Sequence, residues 1–527
     1  MTTKLNPKNK SANTFEKVAA KYNEKLAVST NGNVQFKKDS TVRLYELAVS
    51  TLFGRDTYYR NSSTLVNDLR KSVNEVVAQG KLDFIANLAI HTRIEMDIRT
   101  ISVVLVVEFA RALREQGVQY KNLRKVVCDV IQRADQINDM YAYALSVFGD
   151  KGKLPMAIKR GVADAFNKFN EYHFSKYNRG GDVKFRDVLR IVHPTAKDAK
   201  QGEIFEKIIK GSLATPYTWE VELSRNGQLP ENERKSNKQI WTELLNSGKI
   251  GYMALLRNLR NIIKAGVDND VLKARGCDVI ADPVRVAQSK QFPHAFVLAH
   301  RAVKDIAPNG VLRAIEDALE LSCNNIPQLG NDVVLLVDSS SSMQGDPNNK
   351  QMLAPADHAS VLAAAIVKGN QKAFNLNVIY FDTSARFVKV DTSESVLQQA
   401  KYLRDNSIGG ATRIEEAFKL MKKHNLNPDT IIVLSDMEVN RMYYGTMKSA
   451  VNTNAIKVAI NFAASHSTPL SEKDGWYQLA GYSDMMFKFI PAMRNKVSIV
   501  DALNIPYVGA DVVKQSIFTK NEEIETA

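Results

Sequence analysis

Two architectures share this chain: an all-α N-terminal part of stacked helix pairs, and a C-terminal α/β part with a doubly wound, mostly parallel sheet. Three observations predict the division. From Phe15 to about Leu321 apolar residues recur at three- and four-residue spacing, the period of amphipathic helices. Beyond Pro327 and Gly330, short bare apolar runs alternate with helical stretches, as expected of strand–helix–strand units. Charge divides at the same place. Residues 1–330 hold 51 basic and 36 acidic groups, residues 331–527 hold 20 and 21, so the whole surplus of +14 lies in the first part.

In the first part the spacing predicts helices over Val42–Phe53, Leu65–Ala78, Ile101–Gln116, Tyr120–Asn138, Met156–Phe174, Ile204–Lys210, Lys238–Leu245 and Met253–Ala265. Gly80, Gly117, Gly149, Gly180–Gly181, Gly211, Gly266 and Pro293 punctuate them, as helix stops do. Many medium helices with brief turns suggest an α-solenoid, although no strict repeat is visible. In the second part, buried strands are expected at Val333–Val337, Val378–Phe381, Ile431–Leu434 and Ile456–Ile460, because such runs suit strands covered on both faces. Helices are expected at His358–Lys368, Glu394–Leu403, Ile414–Lys422 and Arg441–Val451. The resulting division is a polar tail (1–14), a helical module (15–326), an α/β domain (327–510) and a C-terminal tail (511–527).

Composition removes several classes. Runs such as Val361–Val367 are far too short to cross a bilayer, which takes about 20 apolar residues, and the polar opening lacks a secretory signal pattern. Cys128, Cys277 and Cys323 form no CxxC pair, and a sparse, odd count fits a reducing cytoplasm. No P-loop, HExxH or GxSxG pattern occurs, and the eight histidines show no metal-ligand spacing.

Doubly wound folds bind ligands at the carboxyl ends of their strands. The first buried run leads there into Asp338-Ser339-Ser340-Ser341-Ser342. One carboxylate and two hydroxyls at alternate positions suit a hard divalent cation, most simply Mg²⁺ with several retained waters; the alternative is a serine-rich linker. Ser435-Asp436-Met437-Glu438 follows another strand, and Gly409-Gly410-Ala411-Thr412 precedes a helix.

These three pieces, in this order, resemble the metal-ion-dependent adhesion site of von Willebrand factor A domains. On that resemblance Asp338, Ser340, Ser342, Thr412 and Asp436 are the metal residues, with Ala411 a departure from the usual Gly-Gly-Thr. The first part carries a second resemblance. Arg43-Leu44-Tyr45 with Phe53–Tyr59, the Met253–Leu259 segment, Lys176–Arg179 and Phe185–Pro194 are similar to motifs of the TROVE module of Ro ribonucleoproteins. TROVE followed by an A domain is the Ro architecture.

That resemblance implies a ring of HEAT-like helical repeats closed by the A domain. It implies a cytoplasmic, non-catalytic, monomeric protein within a ribonucleoprotein. The ring would accept single-stranded 3′ ends of misfolded non-coding RNA and bind small hairpin Y-like RNAs outside. It also implies association with a 3′ exoribonuclease such as polynucleotide phosphorylase. The residues themselves give less: a basic helical scaffold, with one block whose charge suits a phosphate backbone. Residues 151–200 hold 12 basic and 5 acidic groups. Arg186, Arg190 and His193 share one helix face by spacing, Lys176 and Arg179 flank a glycine turn, and Tyr177 is placed to stack on a base. The plainer alternative is a solvated helix face. Two other functions stay open: a protein-interaction scaffold using the metal site, and a metal-dependent phosphoryl hydrolase.

Overall fold

The computed structural model describes residues 26–28, 34–49, 62–149, 153–178, 183–289, 291, 293–324, 326–345, 354–439, 454–463, 467–481, 490 and 498–513. Nine strands lie among them: β1 (Leu26–Val28), β2 (Val34–Lys37), β3 (Asp332–Asp338), β4 (Asn375–Phe381), β5 (Ala385–Val388), β6 (Thr430–Ser435), β7 (Ile456–Asn461), β8 (Ser467–Thr468) and β9 (Trp476–Ala480). Six form one sheet in the order β5-β4-β3-β6-β7-β9, parallel at every pairing except β4–β5. The first of these strands, β3, has β4 on one side and β6 on the other. The chain therefore reverses its course across the sheet there, and a crevice opens outside the carboxyl ends of β3 and β6.

Alternation explains why the β3 run is apolar throughout. Val333, Leu335 and Val337 face the core shared with the helices Pro355–Gly369 and Val396–Asp405. Val334 and Leu336 face the opposite core, with Phe418 and Met421 of the helix Ile414–Lys423. A strand with period-2 side chains and helices on both faces has no solvent side.

The helical module runs from Ser40–Val49 to Asn309–Cys323. Two predicted helices are each divided in two. Tyr120–Asn138 becomes Leu123–Val130 and Asp135–Phe148. Ile131 is extended at the break, and Gln136 Oε1 accepts the N–H groups of Gln132 and Arg133 at 3.0 and 3.1 Å. Met156–Phe174 becomes Met156–Phe166 and Glu171–Tyr177, the second opened by an Asn170–His173 capping box. The helix Leu82–Ile94, absent from the sequence reading, is buried from Phe84 through Arg93, so it carries no amphipathic period. Glu108, fully buried, links helices by accepting from Arg70, Arg111 and Tyr143 at 2.8, 2.6 and 2.7 Å. The Phe53–Tyr59 motif and the expected helix Arg441–Val451 lie outside the described residues.

Among the described residues, the connections between the halves include one before the first helix of the module and one after the sheet. Strands β1 and β2 form a hairpin whose second strand pairs antiparallel with β8, so the start of the helical module is stitched to the α/β domain. At the other end, the segment 498–513 returns to the helices. Asn87 donates to the carbonyls of Leu503 and Ile505 at 3.1 and 2.9 Å, and Tyr507 donates to Asp129 at 2.6 Å.

Candidate functional site

The crevice at the ends of β3 and β6 collects the predicted metal residues. Asp338, Ser340, Ser342, Thr412 and Asp436 are all buried. Asp338 Oδ1 accepts the Ser340 N–H at 2.9 Å and Oδ2 accepts the Ser435 hydroxyl at 2.6 Å. The Ser340 and Ser342 hydroxyls stand 3.3 Å apart, and the Ser342 side chain is hydrogen-bonded to Asp436. The glycine loop closes over this set: the Gly409 N–H donates to the Ser339 carbonyl at 2.9 Å and the Ser341 N–H to the Gly410 carbonyl at 3.0 Å. Gly410 has φ +124, and a Cβ there would lie 2.9 Å from Thr383 Oγ1. Only glycine fits that position.

Electrostatics favour a cation here. Burial drives Asp338 above the usual carboxylate range, outweighing its bonds from Ser340 and Ser435, and the Asp382 charge adds to the rise. Burial, then the charge on Asp338, drives Asp436 up as well. Two buried carboxylates in mutual repulsion, with hydroxyls beside them, form an oxygen-only donor set that a divalent ion would neutralise. Among the described residues no three His, Cys, Asp or Glu side chains converge on a common metal position, so such an ion would lean on serine hydroxyls and water. Asp436 and Glu438 do not act as a strand-aligned pair. Met437 turns the chain between them at φ 61, and the Glu438 N–H donates to Asp436 Oδ1 at 3.1 Å.

A second concavity, of about 640 Å³, lies in the helical module. Arg99, Arg133, Lys176, Lys249 and Arg257 line it together with Tyr172, Tyr177, Tyr217, Trp219 and Tyr252, against one carboxylate, Glu220. Cations stand over the rings: Arg133 is 4.5 Å from the Tyr177 centroid, Lys176 is 5.5 Å from the same ring, and Lys249 is 5.4 Å from that of Tyr217. Asp135 partly answers the Arg133 charge at 2.9 Å. Basic groups mixed with aromatic faces suit single-stranded nucleic acid: phosphates meet the cations and bases stack on the rings.

The TROVE domain family model matches residues 21–214 and 209–430, most of the chain. The chain belongs to the TROVE family. Its fold is like that in the crystal structure of the Deinococcus radiodurans Ro (RSR) protein, with a TM-score of 0.59 at 16% identity, covering 87% of this chain and all of that one. Telomerase protein component 1 of Mus musculus is 34% identical over 95 residues, and that of Rattus norvegicus 34% over 91. Each match takes in 17% of this TROVE chain and 3% of the relative's length. The architecture is thus Ro-like, a helix-rich TROVE region joined to a mixed α/β sheet domain, and TROVE proteins are typically RNA-binding.

Within this TROVE protein the predicted RNA residues separate into two places. Lys176 and Tyr177 line the cavity. Arg186, Arg190 and His193 are exposed along the helix Phe185–Val192 and its left-handed cap, His193, and are not among the cavity's lining residues. Arg179 lies outside the described residues. Sequence reasoning missed Arg99, Arg133, Tyr217 and Lys249, which no local pattern marks. It also missed Asp382, which had a signal: it directly follows the β4 run, as Asp338 ends β3. Asp382 accepts from the Ser339 hydroxyl at 2.9 Å and from Arg386 at 2.6 Å, and its carbonyl accepts the Arg413 N–H at 3.0 Å. It thus ties the β3 loop, the β4–β5 hairpin and the Thr412 loop together. Burial opposes its charge, but Arg386 and the other donors hold its carboxyl below the usual range.

Proposed function

We propose that this protein is a non-catalytic RNA-binding protein of the Ro type, acting in the stabilisation and quality control of small RNAs. The cavity around Tyr177 takes the single-stranded 3′ end of a misfolded non-coding RNA. The exposed Arg186–Arg190–His193 face contacts the phosphates of a Y-like hairpin, positioning it without reading its sequence. The observation that carries this reading is the cavity, where five cations and five aromatic rings surround one carboxylate.

Asp338, Ser340, Ser342 and Asp436, with Thr412 on the overlying loop, would hold Mg²⁺. Bound there, the ion neutralises the buried carboxylates and leaves coordination positions to water or to a partner's oxygen. That last feature supports a second reading, a protein-interaction scaffold, because Ile408 beside the glycine loop is 73% exposed.

A hairpin with a single-stranded 3′ tail, compared with its blunt form at two salt concentrations, tests the proposal. Tail-dependent, salt-sensitive binding of RNA that stays full length is expected. Equal weak binding to both forms would leave only a generic basic surface. RNA shortening that needs Mg²⁺ and disappears in Asp338→Ala would instead establish a hydrolase.

A further inference from the structure

The seam between the two halves holds a buried ion pair that neither candidate site uses. Lys38 precedes the helix Ser40–Val49, and its Nζ lies 2.8 and 2.6 Å from the carboxylate oxygens of Glu46. Both side chains are shut off from solvent, at 1% and 0% exposure. A pair like this offsets its desolvation only when further hydrogen bonds satisfy it. The further bond comes from the other half of the molecule. Asn461, fully buried at the end of β7, donates to Glu46 Oε2 at 3.4 Å, while its own Oδ1 accepts the Ala463 N–H at 2.9 Å.

Asn461 stands opposite Ser435 in the β6–β7 ladder, and the Phe462 N–H donates to the Ser435 carbonyl at 3.0 Å. The Ser435 hydroxyl donates to Asp338 at 2.6 Å and accepts the Met437 N–H at 2.9 Å. Two adjacent strand ends therefore connect Glu46, in the helical module, with Asp338, in the candidate metal loop. The Met437 backbone, at φ 61, is a left-handed conformation that a buried side chain adopts only where its surroundings impose it. The loop carrying Asp436 is thus held against its own preference, and anything that fixes it also fixes the end of β6.

We propose that cation binding at Asp338 and Asp436 is coupled to the docking of the N-terminal segment, through Ser435, Asn461 and Glu46. The inference rests on the metal reading above. A cation that settles the Asp338 carboxylate settles the Ser435 hydroxyl, the β6–β7 strand ends and the position from which Asn461 meets Glu46. Linkage makes the effect reciprocal: a well-docked segment raises cation affinity by the same factor. The α/β domain thereby acts on the half of the molecule that carries the RNA cavity.

Hydrogen–deuterium exchange on the full chain, with and without Mg²⁺, tests this at two places: the loop 338–344 and the helix 40–49. In the wild type, Mg²⁺ slows exchange at both. In Asn461→Ala it protects the loop alone, and Mg²⁺ affinity falls on the order of fivefold, the lower end of usual coupling. Replacing the pair together, Lys38→Met with Glu46→Gln, keeps an acceptor for Asn461 and preserves protection of the helix; its loss there overturns the route through Asn461. Protection of the wild-type loop with no change at helix 40–49 overturns the coupling and leaves the metal site standing. No protection at either place overturns the metal reading, and the coupling with it.

Discussion

The candidate metal residues come from two loops at neighbouring strand ends and one loop between helices, whereas the cavity gathers its side chains from segments spread between Arg99 and Ser289. In the α/β domain a strand delivers its last residues to one edge of the sheet, so a short pattern such as Asp338–Ser342 becomes a site directly. A helical scaffold works otherwise: each segment contributes a few residues, and only packing decides which segments meet. The two sites also answer charge in opposite ways. The cavity holds a surplus of cations beside aromatic rings, and the crevice holds buried carboxylates in repulsion.

That contrast leads to experiments on each side. The largest effect is expected from emptying the cavity of charge. Arg133→Ala, Lys176→Ala and Lys249→Ala together should weaken binding of a single-stranded tail by about 100-fold or more. At about 0.7 per lost phosphate contact, the slope of log affinity against log salt should fall by roughly 2. Blunt hairpin binding should change far less; equal losses for both RNAs would dissolve the distinction between cavity and outer face.

Tyr177→Ala should cost about 1–3 kcal/mol of tail binding, the usual worth of one base–aromatic stack. Tyr177→Phe should stay close to wild type, as measured by fluorescence anisotropy.

On the other side, pH separates the sites. Asp338 and Asp436 are raised in the folded protein above the ordinary 3.8, so the folded state binds more protons than the unfolded one over that range. Stability of the metal-free protein should therefore fall as pH rises above about 4, and Mg²⁺ should flatten the fall. Denaturant melts across pH, with and without Mg²⁺, measure this; Asp436→Asn should flatten the metal-free curve while leaving RNA affinity nearly unchanged.

The smallest effect is expected at Asp382, which positions the loops rather than joining the predicted ligand set. Asp382→Asn should weaken Mg²⁺ by a few-fold in calorimetry, with no change in tail binding.

Much of this comparison was legible beforehand, unevenly. The bare run Val333–Val337 announced a strand covered on both faces, and Asp338 at its end marked a candidate site. Asp382 stood in an equivalent position after Phe381, and Ser384 repeats the first alternate hydroxyl, but Arg386 stands where the second would be, so the pattern is cut short. In the helical module, amphipathic period exposed helices such as Met253–Ala265 yet could not show Leu82–Ile94, which is buried on every side. It also ran through the breaks at Ile131 and Asn170, because side-chain caps interrupt the backbone without interrupting the apolar spacing. The strands β1 and β2 are short, and beyond their pairing with each other the sheet is extended by β8, which meets β2 from more than 400 residues later. Arg133 and Lys249 were invisible as site residues for the same reason: their partners Tyr177 and Tyr217 lie in other segments.

The central claim is that single-stranded RNA lies in the aromatic, cationic cavity rather than along the basic helix face. Photo-crosslinking a hairpin whose 3′ tail carries 4-thiouridine, with adducts mapped by mass spectrometry, tests it most directly. Adducts are expected on the cavity segments around Tyr172–Tyr177 and Tyr217–Trp219, lost on competition with unlabelled tail. Adducts confined to Phe185–His193, or to the α/β domain, would contradict it.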